Sequence, residues 1–280
     1  MSGRVHRQSR PAAIVRHAVL LASGGVMLLP FVWMASLSLK PPNEIFRASF
    51  SLLPERWYAI ENYTKALTAA PLPRYMANGL IVCAAILASQ ILICAPCAYA
   101  LAKLEFRGRD LLFGLVLIGL LLPHQVLALP LFILGYSLGL LNSYAALILP
   151  FVVSPFGIFL FRQFFRSIPD DIVHAARLDG LSEFAIVWRV MLPMAMPAVI
   201  AFSIFSVVAH WNDLFWPLIA VKSPSLMPPA LGVAIFRGAE ASTEYGPLMA
   251  GAVLVILPLV LAFIVAQRWF IDGLASASLK

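Results

Sequence analysis

Charge is what this sequence has least of. Aspartate, glutamate, lysine and arginine make up 12% of its 280 residues, while 61% are hydrophobic. An average soluble domain carries about 25% charged residues, so too little polar surface remains here to coat a soluble globule. Also missing is the strict alternation of apolar and polar residues that marks outer-membrane barrel strands. The apolar residues come in unbroken runs, and a bilayer core about 30 Å thick takes about 20 such residues per helix. Backbone polar groups cannot go unpaired in lipid, so these runs predict an all-α membrane protein. Cysteine is scarce too: Cys83, Cys94 and Cys97 share one apolar run. Cys94 and Cys97 have redox CxxC spacing, but thiols buried in lipid lack the exposed, electropositive setting of reactive cysteines, so neither a disulfide nor a metal is expected. No GxxxxGK[ST] phosphate loop occurs, and no His, Asp or Glu cluster has catalytic or metal-ligand spacing. Adjacent Asp170 and Asp171 point to different faces of a helix and suit its N-terminus. The chain is therefore expected to be no enzyme and to hold no cofactor.

What is there is six apolar runs, at about 14–39, 76–102, 111–134, 144–165, 193–220 and 247–269. The first follows Arg4, Arg7 and Arg10, as a secretory signal would. It is too long for one, and Pro30, Phe31 and Trp33 stand where small residues would precede a cut. A retained helix is expected, giving a short tail, 1–13, and one six-span domain, 14–280. The net charge of +7 lies almost wholly between the runs, which offers no basic face to nucleic acid and instead sets orientation. With the N-terminus inside, Arg4, Arg7, Arg10 and Arg16 share the cytoplasmic side with Lys103, Arg107, Arg109, Arg162, Arg166, Arg177, Arg189, Arg268 and Lys280. That bias predicts both termini in the cytoplasm. Prolines within or beside the runs, among them Pro96, Pro123, Pro130, Pro150, Pro155, Pro193, Pro197 and Pro258, predict kinks and freed carbonyls.

The loop 166–192 is too short to span and too apolar to be a plain linker. Pro169, Asp170 and Asp171 open a short helix whose missing donor and negative charge both suit an N-terminus, and Gly180 ends it. Ser182 can cap a second helix, 183–190, before Leu192 and Pro193 turn the chain into the fifth run. Ala175 and Ala176 allow close backbone approach, while Ile172, Leu178, Phe184 and Trp188 offer apolar anchors to a partner groove. The same pattern suits an amphipathic hairpin lying on the membrane surface.

Here the sequence resembles the transmembrane subunits of type I ABC importers, specifically carbohydrate-uptake permeases related to the maltose system. The resemblance rests on His174-Ala175-Ala176-Arg177-Leu178-Asp179-Gly180 followed by Leu192-Pro193 and Pro197, at the spacing of the family's Glu-Ala-Ala, Gly and Leu-Pro signature. Asn78-Gly79, Ala98 to Ala102, Leu140 to Tyr144, Trp211-Asn212-Asp213 and Gln267 to Phe270 extend it over nearly the whole chain. The resemblance implies six spans and a coupling loop that docks on a separate ATPase through Asp171, His174, Ala175, Ala176, Asp179, Gly180, Phe184, Trp188, Leu192 and Pro193. It further implies a homologous second permease, two ATP-binding subunits, an extracytoplasmic solute-binding protein, and residence in the bacterial plasma membrane. His174 departs from the family's acidic residue and removes a charged partner at that position. Leu181 replaces the small residue often found after the glycine.

Ionisable groups inside spans are functional candidates by default. In the fifth run His210, Trp211, Asn212, Asp213 and Trp216 combine aromatic faces with polar tips, which suits sugar rings in a path or gate. Tryptophans near an interface also serve as belt residues, and at about 1.5 Å per residue Asp213 falls roughly 30 Å from Pro193, near the outer edge. His124, beside Pro123, is expected to bond a freed carbonyl. The competing function is an ion-coupled secondary transporter, which would use intramembrane charges and internal repeats that are sparse here.

Overall fold

The computed structural model describes residues 10–47, 51–234 and 244–277, and every regular element among them is helical. Arg4, Arg7, Arg237 and Lys280 lie outside the described residues. Three helices are long and apolar enough to cross a membrane unaided: Ile14–Ser38, Leu72–Lys103 and Tyr245–Val265. Three pairs qualify only together, each bent: Arg109–Leu121 with His124–Ser137 by 100°, Tyr144–Phe151 with Pro155–Ser167 by 41°, and Glu183–Met194 with Met196–Trp211 by 84°. Six spans result if each bent pair is one.

Proline explains the breaks. The run expected as one helix over 111–134 stops because Pro123 bars its predecessor from helical angles, and Leu122 accordingly sits at ψ 120°. The fifth run divides likewise. Its helix starts at Met196 with Pro197 in the first turn, ends at Trp211, and resumes as Phe215–Ala220. Upstream, a π-helical turn, Val187–Met191, sits just before Pro193, whose missing N–H and bulky ring disturb the α ladder.

The chain divides into two compact units. In the one formed by Met1–Ala69 and Phe236–Leu254, the Arg10–Ser38 helix ends on an amide: buried Asn62 donates to the Ser38 and Lys40 carbonyls at 3.0 and 2.9 Å. The Ser38 carbonyl is one that a helix end leaves unpaired, and the Lys40 carbonyl lies in the turn that follows. Lys65 pairs with Glu244 in the same unit.

In the other unit, Ala70–Ile235 with Val255–Lys280, the Leu72–Lys103 helix packs against Pro155–Ser167 and Met196–Trp211. Small residues make this possible. Ala95, Ala98 and Ala198 are fully buried at the contact, and a Cβ on Gly157 would stand 2.9 Å from the Phe202 ring. Such residues let helix backbones approach in lipid, where apolar burial alone gives no preference. This core continues through Phe161, Phe165 and Ile186 into the 166–192 loop. A second core, with Val82, Ile86, Ala146, Leu147 and Trp216, lies toward the other end of the Leu72–Lys103 helix.

Candidate functional site

Two places in this second unit carry chemistry, the 166–192 loop and a groove between the two cores. In the loop, Asp170–Leu178 is helical and closes on Gly180 at φ +81°. Leu181 N–H donates to Ala176 O at 3.1 Å and Gly180 N–H to Arg177 O at 3.0 Å, the paired bonds of a Schellman end. Ser182 Oγ accepts from Ala185 N–H at 3.3 Å and starts the next helix.

The faces of this hairpin sort its residues. Leu178 and Phe184 are 89% and 65% exposed, with Phe184 edge-on to Trp188 at 5.9 Å between ring centroids. Asp171, His174, Ala175, Asp179, Gly180 and Pro193 are also exposed, and Leu192 is half-buried. Ala176 faces the other way. It is buried with Val173 in the chain's own core, so its small size serves packing within the subunit rather than an outward contact.

Two polar ties, unforeseen from sequence, fasten the hairpin to the end of the Leu72–Lys103 helix. Lys103 Nζ donates to Ile168 O and Asp170 Oδ1, both at 2.5 Å. That hydrogen-bonded ammonium holds the Asp170 carboxyl below the usual carboxylate range. Tyr99 Oη donates to Glu183 Oε2 at 2.5 Å, and Arg177 grips the same carboxylate through Nε at 2.7 Å and Nη2 at 3.2 Å. The Arg177 hydrogen bond holds Glu183 low, against the opposing pull of partial burial. Arg162, expected as a solvent-side charge, is buried. Its Nε donates to Leu101 O at 3.1 Å and its guanidinium covers the Phe113 ring at 3.6 Å.

The groove begins with a carbonyl at the break between Tyr144–Phe151 and Pro155–Ser167. Phe151 ends the first piece of the fourth run, its carbonyl is one that a helix end leaves unpaired, and Gln90 Nε2 donates to it at 2.8 Å. Gln90 Oε1 accepts from Ser206 Oγ at 2.7 Å, and His210 Nε2 stands 3.5 Å from Gln90 Nε2. The Phe151 ring lies between His210, at 4.8 Å, and His124, at 6.3 Å. Two adjoining concavities share His124, Phe151, Ala209 and His210. One extends past Ser206, Phe202, Phe205 and Phe156 with a volume of about 530 Å³, and the other past Gln125, Asp213, Phe215 and Trp216.

Of the residues expected on a path or gate, His210, Asp213 and Trp216 line the groove and Trp211 and Asn212 do not. Trp211 is 1% exposed, its Nε1 donating to Val255 O at 3.0 Å, which makes it a packing post rather than a gate or an interfacial belt residue. Asn212 is exposed and turns back to Val208 O at 2.8 Å. Asp213 Oδ1 accepts from Phe215 and Trp216 N–H at 2.9 and 3.3 Å, and so starts the resumed helix. Trp216 Nε1 donates to Ala146 O at 2.9 Å. His124, expected to serve a carbonyl, borders the groove. Gln90, Phe151 and Ser206 went unnoticed in the sequence, although an amide midway along an apolar run followed by Pro150 and Pro155 was the signal that could have found them. No group of three or more His, Cys, Asp or Glu able to hold a metal occurs among the described residues.

Up to six spans around a ring-lined groove bordered by His124, His210 and Asp213 fit the class of membrane transport subunits. Residues 90–275 match the binding-protein-dependent transport system inner membrane components. The chain is 34% identical to the arabinooligosaccharides transport system permease protein AraQ of Halalkalibacterium halodurans, over 91% of this chain and 92% of that one. To the diacetylchitobiose uptake system permease protein NgcG of Streptomyces coelicolor it is 35% identical, over 92% and 86%. To the sn-glycerol-3-phosphate transport system permease protein UgpE of Brucella abortus it is 30% identical, over 95% and 98%. A chain of a bacterial ABC transporter involved in import of the acidic polysaccharide alginate shares the fold at TM-score 0.82 and 23% identity, over 94% of this chain and 98% of that one. The chain belongs to the family of binding-protein-dependent transport system inner membrane components: it is a multi-pass permease subunit of an ABC importer, and not the catalytic chain.

Proposed function

We propose that this subunit passes a sugar, or a related polyol or glycoside, along the groove lined by His124, Phe151 and His210, and that residues 166–192 dock on a separate ATPase. The observation that carries the solute class is the 34% and 35% identity to permeases named for arabinooligosaccharide and diacetylchitobiose uptake. The working unit is a heterodimer with a homologous permease, two ATP-binding subunits and an extracytoplasmic solute-binding protein. Both termini lie in the cytoplasm, with 1–13 as a tail and 14–280 as the transmembrane domain. Docking is supported by the outward Leu178 and Phe184, two apolar anchors on a hairpin stiffened by its Schellman end. Closure of the ATPase would then pull on the hairpin, and Lys103 and Tyr99 would carry that movement directly into the Leu72–Lys103 helix.

A cysteine test addresses docking and orientation together, in a background lacking Cys83, Cys94 and Cys97. Leu178→Cys should react freely with maleimide in the isolated permease pair and become protected when the ATPase is bound. Ser182→Cys should resist an impermeant reagent added outside intact cells. Equal labelling of Leu178→Cys with and without ATPase would remove the docking role, and external labelling of Ser182→Cys would reverse the topology.

A further inference from the structure

The groove is more selective in its chemistry than the family's range of solutes requires. Gln90 lies near the middle of the Leu72–Lys103 helix, about 27 Å along from Leu72 at 1.5 Å per residue. Polar groups at that depth are costly and call for a reason. Some of this polarity is structural, since Gln90 is 4% exposed and spends its amide on Phe151 O and Ser206 Oγ. His124, His210 and Asp213 are different, because they border the open concavities. They alternate with the rings of Phe151, Phe156, Phe205 and Phe215. Among the described residues neither concavity is lined by a lysine or an arginine, and the one carboxylate bordering them is Asp213.

We propose that this groove is a selectivity site for uncharged saccharides: its rings cover the apolar faces of a sugar, its imidazoles meet hydroxyl groups, and the Asp213 carboxylate rejects phosphorylated or uronic sugars. This rests on the reading above that solute passes along the groove, and it divides the solutes of this chain's relatives into two groups. A phosphate ester or uronate would lose its hydration shell, find no cation on this wall, and meet an acidic side chain in a low-dielectric setting. A neutral sugar loses only hydroxyl hydration, which imidazole groups can replace. Rejecting the wrong solute through an unfavourable charge is an established route to specificity.

Ala209 borders both concavities and provides the probe position. In the assembled transporter, with Cys83, Cys94 and Cys97 replaced, Ala209→Cys is treated with a cationic and an anionic methanethiosulfonate, and each rate is divided by that of a free thiol. The cationic reagent should be favoured by about fivefold or more, and adding Asp213→Asn should bring the ratio toward unity. In proteoliposomes with the binding protein, uptake of arabinotriose or diacetylchitobiose should fall more than about tenfold once that thiol is modified, and sn-glycerol 3-phosphate should not be taken up. A normalised ratio at or below unity, or uptake of sn-glycerol 3-phosphate, would overturn the neutral-solute assignment and leave the permease reading standing. Full sugar uptake after complete modification would instead overturn the path through the groove.

Discussion

Gly180 shows how a single residue can be read from local rules alone. A glycine closing a short helix ahead of a serine predicts a left-handed cap and a restart, and φ +81° with the Ser182 Oγ bond is what the structure has. A Cβ placed on Gly180 would meet nothing within 4 Å, so a substitution there acts through backbone strain rather than collision. Gly180→Val should therefore cost the hairpin about 1–2 kcal/mol, and more for its branched side chain, while Gly180→Asn, which tolerates left-handed angles, should cost less. Binding-protein-stimulated ATP hydrolysis, normalised to permease abundance, should fall for valine and largely survive for asparagine. Ala176 shows the limit of such reading, since its identity was visible but the face it packs was not. The tie at Glu183 was likewise hidden, because Tyr99 and Arg177 lie on different elements. Glu183→Gln should lower stability by about 1 kcal/mol or less, since the carboxylate is half exposed and screened. The sign with pH follows from its depressed folded-state value. The contribution is fully present above the ordinary glutamate range, about 4.3, and is lost as pH falls through the lower native value. The difference in Tm between wild type and Glu183→Gln should thus hold from pH 8 to about 5 and vanish on further acidification.

At the scale of elements, the apolar runs were legible because hydropathy alone marks a span, whereas the bends of 100° and 84° needed neighbours to fix their direction. The recurrence of proline located the breaks, but what satisfies the carbonyls left at them is a long-range matter. Phe151 O and Gln90 Nε2 are 61 residues apart in sequence. That pairing gives a sharp test of why the amide is there. Gln90→Leu should destabilise the subunit by about 1–3 kcal/mol, because it strands the Phe151 carbonyl and the Ser206 hydroxyl together. Ser206→Ala removes the second group that this amide serves. In that background Gln90→Leu should cost less, with a coupling energy of at least about 0.5 kcal/mol. Thermal unfolding of the four combinations in one detergent would measure it, and additive effects would mean the amide serves Phe151 O and the groove instead.

At the scale of the whole molecule, what the chain cannot do alone says most about how it works. It has no phosphate loop, and its described residues hold no metal cluster. Its outward apolar residues are not all explained by lipid either. Leu178 and Phe184 sit on a hairpin beyond the spans, where exposure to water would be costly without a partner. The groove poses the same question at mid-span, since His124 is exposed at a depth where imidazole facing lipid is unfavourable. A second wall facing that groove would remove the difficulty, and the homologous permease proposed above would supply one. The purified chain alone in liposomes should accordingly neither hydrolyse ATP nor take up sugar, and should label with maleimide at Leu178→Cys. Adding the partner permease and the ATPase should protect that position, and import should appear only when the solute-binding protein is also present. Sugar uptake by the chain alone would show that one copy closes its own pathway, and would turn the missing wall into a feature of this subunit rather than of its partner.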